Sequence, residues 1–421
     1  LRDLEAVLAH YGVETAALMF PFLWAPVAAT FAAANPERIS ALILPYPMLY
    51  RERLSTDELL ADVYAAALKV GAEFFWSVRA LTLRDWDVLI RQARHANLMG
   101  RLASRIKGHQ LLTDLPPQPR AHLEAALTVA HRQRQAVRWE VERIMHALDG
   151  VQTPVVLLKG AAYVMQEIPA AEGRTFSDVD ILVPKEHLDA VEMALKMHGW
   201  ITTHHSEYDQ RYYRTWMHEL PPMKHMTRQT VLDLHHTILP ETVRLRPDPR
   251  KLLDAAVTLE GHGPRLKVLA PADMVLHSAT HLFHEGEFDH GLRDLTDLDA
   301  LLRQFSANDD RFWEALVDRA QQLDLTRPLY YALRYTQAVL DTPIPSTILQ
   351  TAAAFGPHWP IRQLMDSLFA RAFAPRHPSC DGWLTRPALW LLFVRSHWIK
   401  MPLHLLVPHL LHQAFARPDT A

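Results

Sequence analysis

Asp178 and Asp180 stand one residue apart in Ser177-Asp178-Val179-Asp180-Ile181-Leu182-Val183, an apolar and β-branched run that predicts a strand. On a strand the period of two sends both carboxylates to one face and turns Val179 and Ile181 the other way, into a core. Two carboxylates held together repel, and a divalent cation between them removes that cost. Magnesium, with manganese as the alternative ion, suits the pair because it takes oxygen ligands from one or two carboxylates and from the phosphates of a substrate. A third carboxylate, Asp233, lies in Val231-Leu232-Asp233-Leu234-His235 and shares a face with His235. If that strand lies beside the first, Asp233 completes a two-metal site or takes a proton from an attacking hydroxyl. His235 would orient the acceptor or a phosphate, and a satisfied sheet histidine is its competing reading.

Lys159 and Gly160 follow Pro154-Val155-Val156-Leu157-Leu158, where a strand gives way to a helix over 161–167. Backbone N–H groups at such a turn favour a phosphate, glycine permits close approach, and lysine adds a point charge. Arg174, four residues before Asp178, is placed to add another, and Ser177 stands immediately before the pair. A bare Asp-x-Asp or a lone Lys-Gly is a weak motif. Their order, strand, Lys-Gly, helix, Asp-x-Asp strand, is what carries weight.

The elements that must position these residues form an α+β chain, a small mixed β-sheet core flanked by N-terminal and C-terminal helical regions. The core spans 151–270, with strands over 154–158, 179–183, 200–203, 212–217 and 230–235 and an amphipathic helix over 186–198 closed by Gly199. Residues 51–150 read as helical, broken by Leu115-Pro116-Pro117-Gln118-Pro119 before a long helix over 120–148. Residues 271–421 read as nearly all helix, over 271–284, 291–304, 309–322 and 326–340, with no period that would indicate a solenoid. Residues 1–50 resemble a piece of an α/β-hydrolase. Phe20-Pro21-Phe22-Leu23-Trp24 stands where the Gly-x-Ser-x-Gly elbow belongs, so this stretch reads as a remnant without hydrolase activity.

At 421 residues the chain suits two or three units, and 49% hydrophobic with 22% charged residues is ordinary for a folded protein. The net charge of -3 gives no strong nucleic-acid signal. One cysteine, Cys380, excludes an internal disulfide and a thiolate zinc cluster and fits a reducing, cytoplasmic setting. The apolar stretch 388–415 is broken by Arg395, His397, Lys400, Pro402 and Pro408, a poor transmembrane span. It could rest on a membrane surface or a partner helix. A core helix interrupted by prolines is the more frequent explanation.

Leu157-Leu158-Lys159-Gly160-Ala161-Ala162, the run from Arg174 to Val183, His218-Glu219-Leu220-Pro221-Pro222 and Val231-Leu232-Asp233-Leu234-His235 together resemble the bacterial uncharacterised nucleotidyltransferase family of the polymerase-β-like superfamily. The resemblance implies magnesium-dependent transfer of a nucleoside monophosphate from a nucleoside triphosphate such as ATP, with Asp178 and Asp180 as metal ligands and Asp233 as the third carboxylate. The acceptor stays open among a small molecule, a sugar, a protein side chain and RNA. A non-catalytic nucleotide-binding or regulatory protein that keeps the fold is the alternative. The chain departs from the superfamily's Gly-Ser or Gly-Gly turn in having Ala161 after the glycine and a longer gap to Asp178. Similar proteins carry an Arg-x-x-x-Asp helix beside the site, which implies contact of Arg293 and Asp297 with nucleotide or acceptor, although the spacing itself favours an exposed helix face. His277 and His281, four residues apart without a zincin glutamate, read as helix-packing or substrate-pocket residues.

Overall fold

A computed structural model describes residues 16–19, 39–43, 78, 81–203, 207–284, 286, 288–402, 404 and 406. Two compact units divide at Thr56 and Asp57. The first holds β1 (Ala16–Met19) and β2 (Ile39–Ile43), which pair in parallel. The stretch 20–24, where the hydrolase elbow would be, and the helical pattern expected over 56–77 lie outside the described residues.

In the second unit α1 (Leu83–His95) starts on a capping box. The Thr82 hydroxyl accepts from the Asp85 N–H while the Asp85 carboxylate accepts from the Thr82 N–H at 2.9 Å. After α2 (Met99–Gly108), the predicted proline break ends at Pro117, which opens the 31-residue α3 (Pro117–Ala147) from a position where its missing N–H costs nothing. Leu123, Ala130, Val137, Val141 and Ile144 make a single buried stripe along α3.

The sheet that follows has seven strands in the order β5-β6-β7-β4-β3-β9-β8. They are β3 (Val155–Leu157), β4 (Asp178–Leu182), β5 (Trp200–Thr202), β6 (Met223–His225), β7 (Val231–His235), β8 (Val257–Thr258) and β9 (Leu266–Val268). The central strand β4 runs antiparallel to β3 and parallel to β7, so the sheet is mixed as expected. Between the strands lie α4 (Lys159–Met165), α5 (Leu188–Met197), α6 (Glu207–Trp216) and α7 (Pro249–Ala255). The strand expected over 212–217 belongs to α6 instead. Tyr208, Tyr212 and Trp216 recur every fourth residue, with ring centroids 6.3 Å and 5.8 Å apart, a helical stripe rather than a strand alternation.

Helices α8 (Pro271–His284), α9 (Gly291–Asn308), α10 (Phe312–Gln322), α11 (Thr326–Leu340), α12 (Ser346–Ala353), α13 (Trp359–Ala372) and α14 (Thr385–Lys400) complete the unit. The first of these is buried along nearly its whole length, which its apolar run Met274-Val275-Leu276 permits. An aromatic cluster of Phe283, Tyr331, Tyr335, Phe369 and Phe373 joins it to α11 and α13. The expectation of a core helix near the C-terminus is corrected at α14. Its buried residues fall on the narrow line Thr385, Ala388, Leu392 and Ser396, while Trp390, Phe393, Val394 and Trp398 are exposed. Among the described residues no helix is long and apolar enough to cross a membrane.

Candidate functional site

The register of β4 against β7 places Asp180 directly beside Asp233 and Leu182 beside His235. Because neighbouring parallel strands keep the same pleat, the polar face of one continues into that of the other. Val179, Ile181, Leu232 and Leu234 fill the opposite face and are buried. The alternation that buries this core therefore delivers three carboxylates and an imidazole to one surface. Asp178 and Asp233 are half-buried and Asp180 is 4% exposed.

Glu219, on the segment that runs beside β7, adds a fourth carboxylate through an isolated antiparallel bridge to His235. The His235 Nε2 lies 3.1 Å from Asp180 Oδ1 and 3.3 Å from Glu219 Oε2, while its buried Nδ1 has no partner among the described residues. His218 stacks obliquely on His235, ring centroids 5.2 Å apart. In the sequence Glu219 is marked only by the family resemblance. No periodicity marks it, since it lies outside any regular strand and reaches the site through a tertiary bridge.

Lys159 reaches the same cluster, its Nζ 3.3 Å from Asp180 Oδ1. It is the first residue of α4, at the turn after β3, with φ of +43°, a left-handed conformation that costs a non-glycine residue roughly 1 kcal/mol or more. The turn thus aims the side chain at the carboxylates rather than along the helix. Burial opposes the charge of Lys159, but Asp180, Asp178, Glu219 and Asp233 together hold its ammonium above the usual lysine value. Burial likewise works against an ionised Asp180, and the Lys159 ammonium with the His235 hydrogen bond overcomes it, keeping that carboxyl below the ordinary range. Asp233 takes the opposite course. Burial, then the charges of Asp180 and Glu219, push it up to about 8. Its Oδ1 is buried with no hydrogen-bond partner among the described residues. Among the described residues the ligand atoms of His218, Glu219 and His235 all lie within 4.8 Å of one another, a mixed nitrogen and oxygen set next to Asp180, while the orphaned buried oxygen of Asp233 is chemically suited to a hard divalent cation.

In front of the aspartates opens a cavity of about 190 Å³. Its lining includes Asp178, Asp180, Lys159, Gly160 and Ser177 together with Arg174, Arg293 and Asp297. Asp233 and His235 are not among its lining residues; both lie on the neighbouring strand, against Asp180. Tyr163, Thr175, Ser278, His290 and Asp294 also line it. His281 lines it too, held well below the usual histidine value by burial and by Lys159, hence neutral. His277 is buried and neutral for the same reasons.

The expected exposed helix face on α9 is corrected here. Asp297 is 2% exposed and each of its oxygens is taken, Oδ1 by Arg101 Nη2 at 2.6 Å and Oδ2 by Arg174 Nε at 2.8 Å. Arg293 is paired with the neighbouring Asp294 at 2.7 Å. Arg174 lies across the start of α4, its guanidinium 5.1 Å from the Phe176 ring centroid. A β-carbon on Gly160 would collide with Arg174 Nη1 and come within 2.6 Å of the Phe176 ring, so glycine is what lets Arg174 lie there. The loop carrying Arg174 is itself held by a backbone crossing. Gly173, at φ +65°, passes so close to Gly100 of α2 that a side chain on either would meet the other's carbonyl.

A family model described as "Uncharacterised nucleotidyltransferase" matches residues 82–341, from the capping box of α1 to the end of α11. No curated protein and no solved structure matches the chain. The matched span takes in the sheet, the lining of the cavity and more than half of the 421 residues, and the chain belongs to the uncharacterised nucleotidyltransferase family.

Proposed function

We propose that the protein transfers a nucleoside monophosphate from a nucleoside triphosphate to the hydroxyl, or similar nucleophile, of an acceptor that is a small molecule, a sugar or a protein side chain. The observation that carries this reading is the register of β4 and β7, which sets Asp180 beside Asp233 with Asp178 on the same face. Asp178 and Asp180, which line the cavity, would hold magnesium or manganese, with Asp233 beside Asp180 on the neighbouring strand as the third carboxylate, and the ion when bound supplies positive charge against the phosphates. The chain's own part is positioning and electrostatics. Arg293 and Arg174 line the same cavity as Asp178 and Asp180 and would offer guanidinium N–H groups to phosphate oxygens. Lys159 neutralises the carboxylate cluster from beneath. Tyr163 also lines the cavity, and burial raises its hydroxyl further above the ordinary tyrosine value.

The test is incubation of the full chain with each α-labelled nucleoside triphosphate and magnesium, reading pyrophosphate release and label on an added acceptor or on the protein itself. Wild type releases pyrophosphate and transfers label, and an Asp178→Ala, Asp180→Ala double variant does neither. Equal signals from the two proteins end the reading.

A further inference from the structure

A second cavity, of about 450 Å³, opens between α2 and α9 on the far side of Asp297 from the candidate active site. Its lining includes Arg101, Ser104, Arg105, His109, Arg303 and Gln304. The three arginines are not equivalent. Arg101 is consumed by Asp297, Thr296 and the Ala170 carbonyl. Arg303 is consumed by Asp299 and by the carbonyls of Leu340 and Asp341. Asp299 is in turn also bonded by the Thr342 hydroxyl at 2.7 Å. Arg105, half-buried one turn after Arg101, has neither a carboxylate nor a hydrogen-bond acceptor among the described residues.

Its surroundings work against its charge. Burial weakens it most, and the like charges of Arg101 and Arg303 add to that against the attraction of Asp299 and of Glu172, an exposed side chain at the rim. A cation left in that position is stabilised by an anion entering the cavity. Ser104 and Gln304 are half-buried beside it, line the same space and have no side-chain hydrogen-bond partner among the described residues, so donors for anion oxygens stand around the free guanidinium. Bare phosphate would leave room, so the occupant carries a further group.

We infer that this cavity is a binding site for a phosphate-bearing small anion, seated on the Arg105 guanidinium with Ser104 and Gln304 as hydrogen-bond donors. It is separate from the nucleotide cavity, because the buried Arg101–Asp297–Arg174 tie forms the wall between them.

Equilibrium dialysis of the full chain with labelled orthophosphate, without nucleotide or metal, tests the inference. Arg105→Ala weakens the binding at this cavity by about tenfold or more, the scale of a lost charge-assisted pair, while Arg293→Ala, which alters the other cavity, leaves the Arg105-dependent binding in place. Thermal melting gives a second readout: phosphate raises the midpoint of wild type but not of Arg105→Ala or of the shape-conserving Arg105→Gln. Absence of saturable phosphate binding by wild type overturns the inference. So does loss in Arg293→Ala with retention in Arg105→Ala, or equal loss in both.

Discussion

Replacing Asp297 by alanine leaves two buried guanidinium groups facing each other without their shared carboxylate. Arg101 and Arg174 are 5% and 9% exposed, so neither can turn to water without moving the backbone that carries it. Removing one member of a buried ion pair costs about 3–5 kcal/mol, because the partner's desolvation is no longer offset. Here one carboxylate serves two cations, which would double the figure if nothing else held them. Arg101 however keeps Thr296 Oγ1 at 3.0 Å and the Ala170 carbonyl at 2.7 Å, and Arg174 keeps its place against the rings of Tyr163 and Phe176. Those contacts bring the expected loss for Asp297→Ala back to about 3–5 kcal/mol, with Asp297→Asn in between because its amide can accept from one arginine only.

Urea unfolding followed by tryptophan fluorescence measures the loss as a lowered midpoint at unchanged slope. A double-mutant cycle with Arg101→Met then isolates the pair. Once Asp297 is gone, removing the orphaned Arg101 costs less than it does in wild type, with a coupling of about 2 kcal/mol, within the range for contacting residues. A loss below about 1 kcal/mol for Asp297→Ala, the level of a solvated surface pair, with no coupling to Arg101, would refute the reasoning and return Asp297 to the role of an accessible acceptor contact.

Gly160→Ala forces Arg174 and Phe176 out of their places, so nucleotide transfer falls while overpacking costs only about 1–3 kcal/mol of stability; full activity in a folded Gly160→Ala variant would mean that Arg174 is not needed where it lies. Acid sensitivity follows from the buried neutral histidines of α8. Burial lowers His284 to about 4 and His277 to about 3 from the usual 6.5. The unfolded chain then binds more protons between those values, so stability is full above pH 6.5 and is lost as pH falls toward 4 and 3, by about 3 kcal/mol for His284 alone. Denaturation midpoints across that range check it, and His284→Gln should flatten the profile; an unchanged slope would show that His284 titrates normally.

Some of this architecture is legible in residues alone, and the reason is period. Asp178, Asp180, Asp233 and His235 sit on strands whose apolar alternates must be buried, so their common face follows from the pleat. The helices of 271–340 are legible for the same reason, at the other period. Register is a different quantity. Nothing in either strand says that Asp180 meets Asp233 rather than Leu232 or Leu234, because that depends on how β4, β6 and β7 settle against one another, and β6 is only the three residues Met223–His225.

The same limit makes charged residues read wrongly from sequence in opposite directions. A carboxylate at helical spacing, such as Asp297, reads as solvated unless its partners are in view, and those partners, Arg101 and Arg174, lie 196 and 123 residues away in sequence. Conversely Arg174 and Lys159 read as free phosphate ligands, yet each already answers a buried acid, Asp297 in one case and Asp180 in the other. The two pairs differ in what a substrate can change. Asp297 is closed on both oxygens, so it acts by holding Arg174 across the start of α4. Asp180 shares its Oδ1 between Lys159 and His235 while the neighbouring Asp233 keeps an oxygen with no partner among the described residues. A site whose negative charge is only partly answered by its own lysine and histidine is poised to accept a cation, whereas one whose arginines are already paired is poised to keep its shape, and the two line one cavity.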